Sequence, residues 1–269
     1  MVRDLYMFSR VNEEADVIWF KVAYENTVHS EADITSFFAE KGLDIRFAYL
    51  DSSEDPTKGK YVMFTEAEKG RDIGSIAEEL EKMDVVLSVK WGYSKNRAIQ
   101  SVDFPLQLLG KRAVIIRAKT FVDIINIMNE QVPQSEGLLT MIGIRNGAGA
   151  ARYMQEMVEM NDDNFLGLLG ELLMAAGWGK IEYDINIFEL TGIVRMKDSF
   201  LADEYGESDV PVCVYISAFL AGYISECLKK TVQVRESKCK SMGDEVCEHV
   251  ISAAPSGVKI EHLLRGELH

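Results

Sequence analysis

The run VPVCVYISAFLAGYISECLKK, residues 210–230, constrains this chain more than any other. From Val212 to Ile224 it carries no charge and has apolar or small residues on nearly every side, so a helix there has no solvent face and must be enclosed by protein. It is too short for the roughly 20 residues of a spanning helix. Pro211 suits its first turn. Enclosing such a helix takes a sizeable core, and 269 residues with 47% hydrophobic content supply one large domain or two modest ones. With 29 basic against 43 acidic residues the net charge is −14, which repels phosphate backbones and anionic lipid. Direct nucleic-acid binding and a membrane role are not expected. The start MVRDLYMFSR has no signal-like pattern, and the expectation is a soluble cytoplasmic protein.

Ahead of this helix lie two differently patterned regions. VIWFKVAY (17–24) reads as a strand. Ser30 offers an N-cap oxygen to a helix carrying Ile34, Phe37 and Phe38, which Gly42 ends. The strand candidates IRFAYL and KYVMFTE follow, joined by the turn-like DSSEDPTKGK. Then Ile73, Ile76, Ala77, Leu80 and Met83 recur at helical spacing, and VVLSVKWGY closes a β-α-β-β-α-β order. That order is ferredoxin-like, two helices on one face of an antiparallel sheet. Over about residues 15–95 it resembles the ACT-type regulatory modules. The Pro-Gly turn that those modules often carry after the first strand is absent from ENTVHSEAD. An effector site and plain pairing or dimerisation are the roles open to it.

The polar stretch SKNRAIQSVD reads as a linker, giving expected domains of 1–98 and 99–269. In the second, Thr120 is placed to cap a helix carrying Phe121, Ile124, Ile125 and Met128. A further helix is expected over LLTMIGIRNGAGAARYMQEM, where Gly143, Gly147 and Gly149 each cost roughly 1 kcal/mol against Ala unless close packing or a ligand compensates. Asp162 and Asp163 precede a buried helix stopped by Gly177. Ile181, Tyr183, Ile185 and Ile187 alternate with polar residues as a strand, Thr191-Gly192 turns the chain back, and IVRMKDSFLA returns extended. After the enclosed helix come TVQVRESKCK and EVCEHVISA, two strands about Gly243. The fold class is therefore α+β: a ferredoxin-like domain, then helices packed on an antiparallel sheet.

All four cysteines, Cys213, Cys227, Cys239 and Cys247, fall in the last quarter of the chain, a poor distribution for a disulfide framework. Cys239 and Cys247 flank the hairpin turn and could form a disulfide, share a metal or sit half buried. Glu236 shares strand parity with Val232 and Val234; if these face the core, the carboxylate needs a cation or hydrogen-bond donors, with an Arg or Lys partner as the plainer answer. Cys213, at the start of the enclosed helix, is a third thiol that could be aimed at the hairpin. Three thiolates and one carboxylate would make a closed tetrahedral site suited to Zn2+ over Mg2+ or Ca2+.

Cys213, then Glu236, Cys239, Gly243 and Cys247 in the pattern Glu-x-x-Cys-x(3)-Gly-x(3)-Cys, make residues of about 105–255 resemble the 4-vinyl reductase domain, also called the hydrocarbon-binding domain. Trp178-Gly179 and Asp198 to Phe200 extend the likeness. The resemblance implies structural Zn2+ on Cys213, Glu236, Cys239 and Cys247, beside a cavity for a small apolar or aromatic ligand. Trp178, Met196, Phe200, Ile216, Leu220 and Val234 are the candidate lining. Phenol-sensing members carry a Trp and a Tyr where this chain has Met196 and Val234, so a less polar or differently shaped ligand is expected. Cys227 has no counterpart in the family and is read as core.

His249 is a weaker ligand candidate, expected to face solvent or to be hydrogen-bonded; His29, His262 and His269 are scattered with no nucleophilic partner. GIRNGAGA lacks the Lys-Ser/Thr of a phosphate loop. The expected function is a zinc-containing ligand sensor, a homodimer acting through a protein partner and not itself an enzyme. A reductase-type enzyme or enzyme subunit, and a thiol redox switch, are the alternatives.

Overall fold

Strand alternation and glycine helix stops set the first unit. The computed structural model describes residues 7–8, 14–52, 55–94, 99–100, 102, 105–108 and 111–255. It divides into two units, Met1–Leu106 and Gln107–His269. The first contains β1 (Met7–Phe8), β2 (Ala15–Glu25), α1 (Ser30–Glu40), β3 (Asp44–Asp51), β4 (Lys58–Glu68), α2 (Ile73–Leu80), β5 (Val86–Tyr93) and β6 (Ile99–Gln100). Strands β3-β4-β2-β5 form one antiparallel sheet in that order, the ferredoxin-like arrangement; β1 pairs with β6. Ile18, Phe20, Val22 and Tyr24 alternate onto one sheet face and pack with Ile34 and Phe38 of α1 and Ile73, Ile76, Ala77 and Leu80 of α2.

Gly42, at φ +61°, closes α1: its N–H donates to the Ala39 carbonyl and that of Leu43 to Phe38, the paired bonds of a Schellman ending. Ser30 does not cap α1 as expected. Its Oγ donates to the Glu25 carbonyl, which ties the helix start to β2 instead. The expected linker lies largely outside the described residues, as do Phe104, His262 and His269.

The second unit contains β7 (Gln107–Leu108), β8 (Lys111–Arg112), α3 (Ala118–Gln131), α4 (Ser135–Met157), α5 (Phe165–Ala175), β9 (Lys180–Asn186), β10 (Thr191–Lys197), α6 (Phe200–Tyr205), α7 (Val214–Leu228), β11 (Val232–Lys238), a 3-10 turn (Lys240–Met242) and β12 (Cys247–Ala253). Its main sheet, β11-β12-β10-β9, is antiparallel throughout. Helix α7 is the enclosed helix, with every residue from Tyr215 to Ser225 buried. It starts two residues later than Pro211 would allow as a first-turn residue, with Cys213 at its N-cap. Thr120 likewise lies inside α3, which begins at Ala118.

Helix α4 crosses α7 through glycine. A Cβ on Gly147 would sit 2.0 Å from the Phe219 carbonyl oxygen, one on Gly143 2.6 Å from the Ala218 Cβ, and one on Gly222 2.1 Å from the Ile144 carbonyl oxygen. Backbone therefore lies on backbone, and the helix-propensity cost of Gly143 and Gly147 is offset by contact. Gly149 has nothing within 4 Å. The two kinds of glycine predict opposite effects: Gly147→Ala lowers stability by about 1–3 kcal/mol through overpacking, whereas Gly149→Ala raises it by up to about 1 kcal/mol. Chemical denaturation of both variants beside the parent chain checks this pair.

Candidate metal centre

The hairpin presents its cysteines by departing from regular pairing. Between Glu236 and Lys238 the β11–β12 register shifts, and the chain turns through Lys240–Met242 to Gly243 at φ +96°, a conformation that favours glycine. Asp244 closes the loop on itself. Its Oδ2 accepts from the Cys239 N–H at 2.8 Å and its own N–H donates to the Cys239 carbonyl. The Lys240 N–H donates to Cys247 Sγ at 3.5 Å, a backbone dipole aimed at sulfur. From the other side, α7 brings Cys213 at its positive N-terminal end, where anionic ligands are favoured.

Cys213, Glu236, Cys239 and Cys247 converge: one sulfur from each cysteine and a carboxylate oxygen lie within 4.8 Å of one another. All three sulfur residues are 0% exposed and Glu236 is 7% exposed. The Cys213 and Cys247 sulfurs are 3.7 Å apart, and Ser199 Oγ lies 3.8 Å from Cys213 Sγ. Sulfurs bonded at about 2.3 Å to one tetrahedral ion would stand about 3.8 Å apart, so the spacing suits a shared Zn2+. Glu236 Oε2 accepts from the Cys213 N–H at 2.8 Å, while Oε1 is buried with no partner. An orphaned carboxylate oxygen among three thiols is the signature expected of a cation ligand.

Without a cation the cluster is electrostatically strained. Burial pushes the Glu236 carboxyl up to about 7. The Cys213 thiol is held well above the usual range, first by donating to Cys239 and Cys247 and then by burial, and Cys239, receiving such bonds, is pulled down. Cys227 is half-buried against Met160 at 3.5 Å and stands apart from the cluster. Burial likewise lowers His249 to about 4; its Nδ1 is 2.9 Å from Ser217 Oγ, so it is the hydrogen-bonded histidine of the two alternatives and is no member of the four-ligand group.

A Schellman ending delivers Trp178. Gly177, at φ +75°, donates to the Met174 carbonyl and Trp178 N–H to that of Leu173. The Phe200 N–H donates to the Trp178 carbonyl at 3.0 Å, and a Cβ on Gly179 would sit 2.9 Å from the Lys197 carbonyl oxygen. The Trp-Gly and Asp-Ser-Phe segments are thus one junction. The Trp178 ring lies 5.7 Å from Phe200, 5.6 Å from Tyr215 and 4.9 Å from Phe219, and Phe121 of α3 joins Phe200 at 5.6 Å and Tyr215 at 5.2 Å.

Of the candidate lining, Met196, Ile216 and Leu220 are fully buried, Val234 and Phe200 partly so, and all share one core with Trp178. Phe121, Tyr215 and Phe219 were not expected in the aromatic group. Tyr215 and Phe219 carry a local signal, two and six residues past Cys213; Phe121, remote in sequence, carries none.

The second unit is thus an α+β domain built on a buried helix with a three-sulfur, one-carboxylate cluster at its tip. The family model of the 4-vinyl reductase domain matches residues 193–253, and this chain carries such a domain. No curated protein matches the chain. Among solved structures it is similar to the phenol-responsive sensory domain of the transcription activator PoxR with phenol, at 21% identity and TM-score 0.49 over 59% of this chain and 85% of that one. A vinyl-4-reductase family protein from Methanocaldococcus jannaschii matches at 17% identity and TM-score 0.40, over 53% and 85%. A trafficking protein particle complex subunit 3 from Naegleria fowleri, covalently bound to palmitic acid, matches at 9% and 0.40, over 51% and 95%. Among the described residues no helix is long and apolar enough to cross a membrane.

The raised Glu236 pKa makes a signed prediction for metal-stripped protein. A carboxyl whose folded pKa exceeds its unfolded value of about 4.5 stabilises the fold at low pH, and that contribution is lost as pH rises through about 7. The melting temperature of the stripped protein is expected to fall between about pH 5 and about pH 8 by more than that of Glu236→Gln. Thermal scans across that range decide it.

Proposed function

We propose that this protein is a zinc-containing sensor of a small apolar or aromatic molecule, working as a homodimer and passing its state to a protein partner. The observation that carries the reading is the dry convergence of Cys213, Glu236, Cys239 and Cys247, with an unpartnered carboxylate oxygen among three thiols. The family match over the same hairpin supports it. Bound zinc would neutralise the cluster and, held by four protein ligands, offer no open position to a water or substrate.

The chain's own residues do the rest. Cys213 ties the tip of α7 to the hairpin, so that α7 and β11–β12 act as one body. Val234 on β11, Met196 on β10 and Ile216 and Leu220 on α7 offer apolar surface to a ligand, and Trp178 and Phe200 offer aromatic faces. In this reading the first unit, with its ferredoxin-like sheet, is an ACT-like regulatory module, and the second unit recognises the ligand. A reductase would need a bound hydride or electron donor, which the described residues give no specific reason to invoke.

Elemental analysis of full-length protein tests the centre. One zinc per chain is expected, retained under mild peroxide, with the content of Cys239→Ser and Glu236→Gln falling well below it. Zinc release with disulfide formation under peroxide would instead favour the redox switch, and wild-type protein that takes up no zinc would remove the reading's basis. Native mass spectrometry of protein from its own cells is expected to show a co-purifying apolar molecule.

A further inference from the structure

Among the described residues two buried side-chain polar atoms lack a partner, Glu236 Oε1 and His249 Nε2. The first is accounted for by the cation. The second is not, because His249 is outside the group of ligand atoms that could share an ion. His249 is 0% exposed, and an unpaired ring nitrogen in such a place is costly unless something meets it. Its other nitrogen is fixed by Ser217 Oγ at 2.9 Å, and Ser217 is itself set in α7 by its N–H to the Cys213 carbonyl. The ring is therefore held from behind with one polar atom left over.

The sheet register shows what surrounds it. His249 lies on the central strand β12, opposite Val194 on β10 and Glu236 on β11. One step along, Cys247 faces Met196 and Ile251 faces Val234, so two of the candidate lining residues are its diagonal neighbours on the buried face. Ile216 and Leu220 flank Ser217 along α7. A charged group would be desolvated at high cost here, and an anion would also meet the anionic cluster next door. The Ser217 hydroxyl can donate to Nδ1 or accept from it, leaving Nε2 a donor in one tautomer and an acceptor in the other. A hydroxyl serves both.

We infer that His249, held by Ser217, is the polar anchor of the ligand site, and that the ligand is an uncharged molecule with a hydroxyl group on an apolar body. This rests on the ligand-binding reading above and specifies its chemistry. It revises the expectation, drawn from Met196 and Val234, that a hydroxyl would find no partner. Ser217 is a positioning residue in this arrangement.

Titration calorimetry of the zinc-loaded full chain with phenol and with toluene, which has the same shape without the hydroxyl, tests it. Phenol is expected to bind at least as tightly as toluene, and the ratio of phenol to toluene affinity to drop roughly tenfold in His249→Leu and by less in Ser217→Ala. In wild-type protein labelled with 15N-histidine, phenol and not toluene is expected to shift the His249 Nε2 resonance, a readout that needs no variant to fold. An unchanged ratio in His249→Leu, or an Nε2 resonance indifferent to phenol, overturns the inference while toluene binding leaves the sensor reading standing. Binding of neither probe overturns both.

Discussion

Three sulfurs and a carboxylate are packed together without water at the tip of a helix that has no solvent face, and the rest of the second unit follows from making that tolerable. In a medium of low dielectric, four groups that carry negative charge when ionised repel strongly and cannot all be solvated. The chain supplies what compensation a backbone can: the N-terminal end of α7, the Lys240 N–H on Cys247, and the Cys213 N–H on Glu236. These donors orient the ligands but do not cancel their charge. A divalent cation does, which makes the fold and its metal one thermodynamic unit.

That dependence places demands elsewhere. The tip of α7 stays aimed at the hairpin only if the helix cannot roll, and α4 holds it by the close glycine crossing at Gly143, Gly147 and Gly222. Phe219 joins the two regions: its carbonyl lies under Gly147 while its ring meets Trp178. A change at the aromatic group therefore has a short physical route, along one helix, to the crossing and to the metal-binding tip. Such a continuous, stiff connection suits a domain that must convert occupancy into a shift of a helix.

The sequence was most legible where chemistry restricts residue type. Charge cannot hide in a buried helix, so the uncharged span from Val212 to Ile224 announced α7; metal ligands need Cys or Glu at fixed loop spacings, so Glu236, Cys239, Gly243 and Cys247 could be found from pattern. Gly42 and Gly177 ended their helices as expected because left-handed backbone selects glycine. Helix starts were less legible. Ser30 satisfies its hydroxyl on β2, and α3 begins before Thr120, since tertiary bonds and chain direction override a local cap preference. Nor can a sequence tell Gly147, under a carbonyl, from Gly149, facing open space. Phe121 reaches the aromatic group from a separate helix with no periodicity linking it to Trp178, and the orphaned nitrogen of His249 exists only once Ser217 has claimed the other one.

X-ray absorption at the zinc edge reads the first coordination shell itself. For full-length protein the expected spectrum is three sulfur neighbours at about 2.3 Å and one oxygen at about 2.0 Å, with Glu236→Gln altering only the light-atom contribution in whatever metal remains bound. A shell made of oxygen and nitrogen alone, or one that survives removal of Cys213 and Cys239 unchanged, would mean that the metal sits somewhere else and that this buried cluster is not its holder.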